Sequence, residues 1–323
     1  MIVARIAVLD DYQGCALQMA DWSQLLSWNQ VLVFQDHLSD YESLVERLKD
    51  FEIVVAMRER TPFPRTMLER LPRLRLLVTT GMRNASLDMQ AATDCGIMVC
   101  GTEGLTYPTA ELAWGLILAL LRQIPREDRA TRDGHWQVSM GIGLQGKVLG
   151  VLGLGRLGSQ VATIGKAFQM SVLAWSRNLT PERAAQYGAK LVTKDELLSR
   201  SDILTIHLVL SDRTRSLIGE REFGLMKSTA YLVNTSRGPV VDEKALVKAL
   251  EKGTIAGAAL DVFDEEPLPT NHPLRRTGNT VITPHLGYVT AEGYRIFYGQ
   301  AVEDIHSFLR GSPIRMLNKL QTK

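Results

Sequence analysis

Short apolar runs alternate with stretches whose apolar residues recur every three or four positions, and this alternation holds along almost the whole chain. Residues 2–9, 31–34, 51–57, 74–79 and 97–100 read as strands, with helical periodicity over 41–48, 64–71 and 87–95. The pattern resumes further on. Residues 148–152, 171–175, 190–192, 203–208, 230–234, 257–261 and 280–282 read as strands, with helices over 159–168, 194–198 and 243–252 and a closing helix over 291–309. Strands this uniformly apolar are buried on both faces, as in parallel sheets, so the pattern predicts an α/β protein with two doubly wound sheets in series. Between them, residues 108–122 form a helix with small and apolar residues on several faces, which implies burial rather than a single amphipathic stripe.

The junction from the strand at 148–152 into the following helix carries Gly153, Gly155 and Gly158 in a G-x-G-x-x-G spacing, with Arg156 and Leu157 at the helix start. Gly153 permits the tight turn, Gly155 lets the backbone approach a pyrophosphate, and Gly158 allows the helix to pack against the sheet. The helix N-terminus then presents N–H groups and partial positive charge to an anion. The next strand ends Trp175-Ser176-Arg177-Asn178, without the acid that bonds the ribose hydroxyl of NAD. Ser176 can donate to a phosphate and Arg177 offers a charged fork, so NADP(H) is favoured over NAD(H), which stays possible if Arg177 only stacks on adenine.

Composition narrows the class without changing the fold. The chain has 323 residues, 45% hydrophobic and 22% charged, with a net charge of +2; that suits about two domains and gives no basic tail for nucleic acid. Cys15, Cys95 and Cys100 are odd in number and lack metal-ligand spacing, so reduced thiols are expected and no metal is implied. The N-terminus enters a strand without a signal-peptide pattern, and the apolar stretch at 112–121 is too short to span a bilayer. A cytoplasmic protein with small-molecule partners, and neither nucleic acid nor membrane, is the expectation.

Three later segments place chemistry at strand ends: Asn234-Thr235-Ser236-Arg237-Gly238, then Leu260-Asp261-Val262-Phe263-Asp264-Glu265-Glu266-Pro267, then Thr283-Pro284-His285-Leu286-Gly287-Tyr288. An arginine, a glutamate and a histidine thus converge on the ligand edge of one sheet. His207, ending another strand, is a further cofactor candidate. In the first hundred residues the strand ends carry Arg58 and the run Gly81-Met82-Arg83-Asn84.

Together with the glycine turn, these ordered segments resemble the D-isomer-specific 2-hydroxyacid dehydrogenase family over essentially the whole chain. The resemblance implies two Rossmann-like domains around a cleft, a discontinuous substrate domain of residues 1–101 plus 288–323, a dinucleotide-binding domain of 102–287, and a homodimer held largely through the latter. It assigns Arg237 to substrate binding, His285 to acid/base chemistry and Glu266 to its carboxylate partner, with Glu265 the competing choice. It also puts Thr235 and Asp261 near the cofactor, and the N–H groups of Gly81 and Met82 on the substrate carboxylate. The implied activity is hydride transfer between a nicotinamide and a small 2-oxo acid such as glyoxylate or hydroxypyruvate. A D-3-phosphoglycerate dehydrogenase-like enzyme and a non-catalytic NAD(P)H-sensing regulator of the same fold are the alternatives. One departure stands out: Arg83 follows Met82 where a second glycine is common, so Arg83 could capture a second anionic group, and Tyr288 could line the same site.

Overall fold

The computed structural model describes residues 4–320, so Ile2 and Val3 of the expected opening strand lie outside the described residues. The chain forms two compact units, Met1–Leu105 with Thr290–Lys323, and Thr106–Val289.

In the first unit, β1 (Arg5–Val8), β2 (Gln30–Val33), β3 (Ile53–Ala56), β4 (Leu76–Thr79) and β5 (Met98–Gly101) form one parallel sheet in the order β2-β1-β3-β4-β5. Every residue of β3 and β4 is buried, which is why these strands are uninterrupted apolar runs. The closing helix Ala291–Leu309 returns to this unit and packs on β4, burying Tyr294, Phe297, Tyr298, Ala301 and Ile305. After it, the Gly101 N–H donates to the Arg315 carbonyl and the Leu317 N–H to Val99, so the C-terminal segment covers the β5 edge.

The second unit holds seven parallel strands: β6 (Val148–Leu152), β7 (Ser171–Trp175), β8 (Ala189–Leu191), β9 (Ile203–Ile206), β10 (Tyr231–Asn234), β11 (Gly257–Leu260) and β12 (Thr280–Ile282). Their order is β12-β11-β10-β9-β6-β7-β8, so the winding reverses between β6 and β9. Alternate residues of each strand feed two cores. Leu152, Leu204, Leu232 and Leu260 pack with Leu197, Phe223 and Leu246 from the helices on one face. Leu149, Val151, Ile203 and Val233 pack with Trp114, Ile117 and Val161 on the other. The helix Pro108–Leu121, buried along most of its length, belongs to this second layer.

Several elements differ from the sequence expectation, most at their ends by one to three residues. The helix after the glycine turn is Arg156–Ala167 and so begins at Arg156, because Gly158 lies inside it. Strand β9 stops at Ile206, leaving His207 just past the strand end. A helix Ile124–Arg132 buries none of its residues, so no core contact fixes its bounds. Among the described residues no helix is long and apolar enough to cross a membrane.

Candidate active site

The second sheet collects its chemistry at one edge. Its carboxyl ends run directly into Gly153 after β6, Ser176 after β7, His207 after β9, Thr235 after β10, Asp261 after β11 and Thr283 after β12. In an open parallel sheet this edge, at the reversal between β6 and β9, is where ligands bind.

The glycine turn has the shape a dinucleotide requires. Gly153 has φ +103°, a region that favours glycine, and a Cβ there would lie 2.7 Å from the His207 carbonyl oxygen. On Gly158 a Cβ would lie 2.0 Å from the Gly153 carbonyl oxygen, so the helix seats against the turn only with glycine. On Gly155 a Cβ would meet nothing within 4 Å, so this backbone faces open space. Gly155 also caps the helix without any side-chain hydrogen bond, leaving the first-turn N–H groups for a ligand. Two buried polar atoms on the same edge, His207 Nδ1 and Thr235 Oγ1, have no hydrogen-bond partner among the described residues. These orphaned atoms and the bare helix N-terminus fit a nicotinamide dinucleotide.

His207 also bonds Thr205 Oγ1 through Nε2 at 2.9 Å, and burial pushes its imidazole down to about 4, so it is neutral at neutral pH. At the end of β7, Ser176 Oγ accepts the Leu154 N–H at 2.8 Å and keeps its own proton to donate. Arg177 beside it is exposed and makes no ion pair among the described residues.

Arg237, Glu266 and His285 are built into neighbouring loops of this unit. Gly238 sets the first contact: a Cβ there would lie 2.1 Å from the Phe263 carbonyl carbon, so the Arg237 segment runs against the Phe263–Asp264 peptide at a distance only glycine allows. The Phe263 N–H in turn donates to Glu266 Oε1 at 2.9 Å. The other oxygen, Oε2, lies 2.6 Å from His285 Nδ1. An ionised carboxylate only accepts, so Nδ1 carries the proton and Nε2 is the nitrogen left for chemistry. Glu266 therefore fills the partner position that Glu265 contested, and the Glu266–Pro267 peptide is cis.

His285 itself has φ +55°, a left-handed conformation that costs a non-glycine residue energy unless its surroundings impose it. Asp261 imposes it. Its Oδ1 accepts the Thr283 hydroxyl at 2.6 Å and the Leu286 N–H at 2.7 Å, and its Oδ2 accepts the Gly287 N–H at 2.8 Å. The carboxylate is 0% exposed, and burial pushes its pKa up against the pull of those donors and of His285. Without it both loop N–H groups would lose their acceptor, at about 1–3 kcal/mol for each that is buried. Thr109 Oγ1 closes the clamp by donating to the Gly287 carbonyl at 2.8 Å. Tyr288 stands edge-on to the imidazole, ring centroids 5.4 Å apart.

The first unit carries its own cluster at the carboxyl ends of β3 and β4. Arg58 has φ +52°; its N–H donates to Thr80 Oγ1, its carbonyl accepts from Asn84 Nδ2, and its guanidinium donates to the Thr80 carbonyl at 3.1 Å. That guanidinium lies over Gly81, where a Cβ would meet it at 1.8 Å. The Gly81 N–H, expected on a carboxylate, is instead committed to Thr102 Oγ1 at 2.9 Å. The Met82 N–H has no internal acceptor among the described residues, and Met82 and Arg83 are exposed. Sequence reasoning missed Thr109, Thr283 and the approach at Gly238; only the run Thr-Ser-Arg-Gly hinted at the last.

Residues 114–287 match the family model described as the D-isomer specific 2-hydroxyacid dehydrogenase, NAD binding domain. The chain is 42% identical over 291 residues to a glyoxylate reductase of Aeropyrum pernix, covering 86% of each chain. To a D-3-phosphoglycerate dehydrogenase of Archaeoglobus fulgidus it is 39% identical over 278 residues, which is 85% of this chain and 52% of that protein. Among solved structures, a phosphoglycerate oxidoreductase from Vibrio cholerae O395 superposes with a TM-score of 0.91 at 36% identity, covering 96% of this chain and 100% of that one.

The glycine geometry separates binding from folding. Gly155→Ala should melt within about 2 °C of the parent and lose at least tenfold in dinucleotide affinity, because its Cβ points into open space that the ligand needs. Gly158→Ala should lower the melting temperature by several degrees instead, since its Cβ meets backbone. Thermal melts with a cofactor titration check both.

Proposed function

The chain belongs to the D-isomer specific 2-hydroxyacid dehydrogenase family, and on that premise we propose that it reduces a small 2-oxo acid, glyoxylate to the achiral glycolate or hydroxypyruvate to the D-2-hydroxy acid. Nicotinamide-dependent oxidoreduction at the CH–OH group is the activity of the family; the substrate is the further step. The observation that carries it is the His285 Nδ1 to Glu266 Oε2 bond at 2.6 Å, which leaves Nε2 as the one proton-transfer atom.

The bound nicotinamide supplies the hydride for the ketone carbon. His285 donates the Nε2 proton to the developing alkoxide and takes it back in the reverse direction. Glu266 fixes the ring and offsets the charge of the imidazolium through Nδ1–H. Arg237 binds the substrate carboxylate with its planar fork. Tyr288, packed on the imidazole, keeps water from that face.

NADP(H) is the favoured cofactor. Ser176 retains a hydroxyl proton, and Arg177 is exposed with no ion pair among the described residues, where a carboxylate would repel a phosphate dianion. A second copy of the chain is the partner suited to residues 134–143, where Trp136 is 77% and Met140 94% exposed. The three cysteines are free, which suits the reducing cytoplasm.

One cluster favours a second reading of the substrate. Arg58, held in a strained conformation, and the exposed Arg83 would suit a 2-oxo or 2-hydroxy acid with a second anionic group, as in the phosphoglycerate dehydrogenase relatives.

His285→Ala should reduce turnover by about 10²–10⁴-fold with cofactor affinity nearly kept, the range for a general acid; turnover close to the parent's would remove His285 from the chemistry. Arg177→Ala should weaken NADPH binding by at least tenfold more than NADH, as fits the loss of a charge-assisted phosphate contact. Equal effects on the two cofactors would make NAD(H) the better reading.

A further inference from the structure

Outside the acid–base pair, a second glutamate and histidine meet in the same unit. Glu243 opens the helix Glu243–Glu251, and His272 lies 29 residues on, in the turn that joins β11 to β12. His272 Nε2 and Glu243 Oε1 are 2.9 Å apart, and both side chains are only 18% exposed. Glu243 Oε2 accepts the Asp264 N–H at 3.3 Å. The Leu274 N–H donates to His272 Nδ1 at 3.3 Å, so Nδ1 holds a lone pair and the ring proton sits on Nε2, donating to Glu243. One carboxylate thus ties two points of a single loop to a helix.

The loop it ties contains Glu266. The Phe263–Asp264 peptide is confined on one side by the Gly238 backbone and held on its N–H by Glu243. The N–H of the adjoining Phe263 holds Glu266 Oε1, whose partner oxygen meets His285. Leu274, next to His272, is 1% exposed and anchors the turn in the core. Asp264, beside this pair, also feels the charges of Asp242 and Arg215. None of them bonds His272, so the ring's orientation is set by Glu243 and the Leu274 N–H.

We propose that Glu243 and His272 are positioning residues for the reaction: they fix the Phe263–Asp264 peptide and, through it, hold Glu266 in line with His285. This rests on the reading of His285 and Glu266 as the acid–base pair. The role of His272 is that of a neutral donor at a fixed place, so an amide of similar reach can replace it. Glu243 must accept twice, so its amide cannot.

The test is a double-mutant cycle on the full chain with NADPH and glyoxylate. His272→Ala should lower kcat about tenfold, the cost of a misplaced catalytic group, with cofactor Kd within about twofold of the parent. His272→Gln should restore kcat to within about twofold of the parent because its amide nitrogen reaches the same acceptor. In a Glu266→Gln background His272→Ala should cost nothing further, because its effect passes through Glu266. Parental kcat in His272→Ala, or an equal loss in both backgrounds, overturns the proposal. Should His272→Ala fail to fold, Glu243→Gln replaces it with the same expected loss and the same background test. If Glu266→Gln itself turns over like the parent, the acid–base reading falls; if Glu266→Gln is impaired and His272→Ala is not, only the positioning role falls.

Discussion

The convergence of two loop N–H groups and a hydroxyl on the buried carboxylate of Asp261 is the constraint on which the site depends. A carboxylate with no exposed surface is tolerated only when its lone pairs are filled, and here the donors come from the segment that carries His285. The bargain is reciprocal. The loop satisfies the charge, and the charge holds His285 in a left-handed conformation that a histidine seldom keeps by itself. From that position its Nδ1 reaches Glu266 Oε2 at 2.6 Å.

The same logic of close approach runs through the rest of the second unit. Parallel strands of near-equal length deliver their carboxyl ends to one edge, and glycines decide how closely the loops beyond them can pass. Gly158 lets a helix rest on the turn at Gly153, and Gly238 lets the arginine segment rest on the peptide beside Glu266. Because each of these contacts is backbone against backbone, a single methyl group cannot be absorbed by a side-chain rotation. Placement of the Arg237 segment is thus a property of main-chain packing before it is one of side chains.

Much of this was legible in the sequence, for physical reasons that also explain what was not. The central strands carry apolar runs because both faces of a parallel sheet are covered there, and β3 or β4 could hardly be read otherwise. The partnership of Glu266 with His285 is what the family resemblance implies, and Glu266 Oε2 lies 2.6 Å from His285 Nδ1. The helix Ile124–Arg132 falls in the amphipathic, charged extension expected up to residues 134–136, but it buries nothing, so no core contact fixes its bounds. The occupied N–H of Gly81 was hidden because its acceptor, Thr102, lies on the neighbouring strand end, 21 residues away. The Glu243 to His272 contact joins residues 29 apart across a turn whose path no local pattern encodes. Hydrophobic period reports burial, whereas hydrogen bonds between loops are set by tertiary approach.

The central claim is that Nε2 of His285 protonates a 2-oxo acid during hydride transfer. It is tested most directly by following the absorbance of NADPH, and separately of NADH, against glyoxylate, hydroxypyruvate, pyruvate, 2-oxoglutarate and a phosphorylated 2-oxo acid. The account predicts oxidation that depends on a 2-oxo acid, runs faster with NADPH, and yields the D-2-hydroxy acid from every substrate whose product is chiral. Cofactor binding without turnover on any member of that panel, or formation of the L-product, would contradict it.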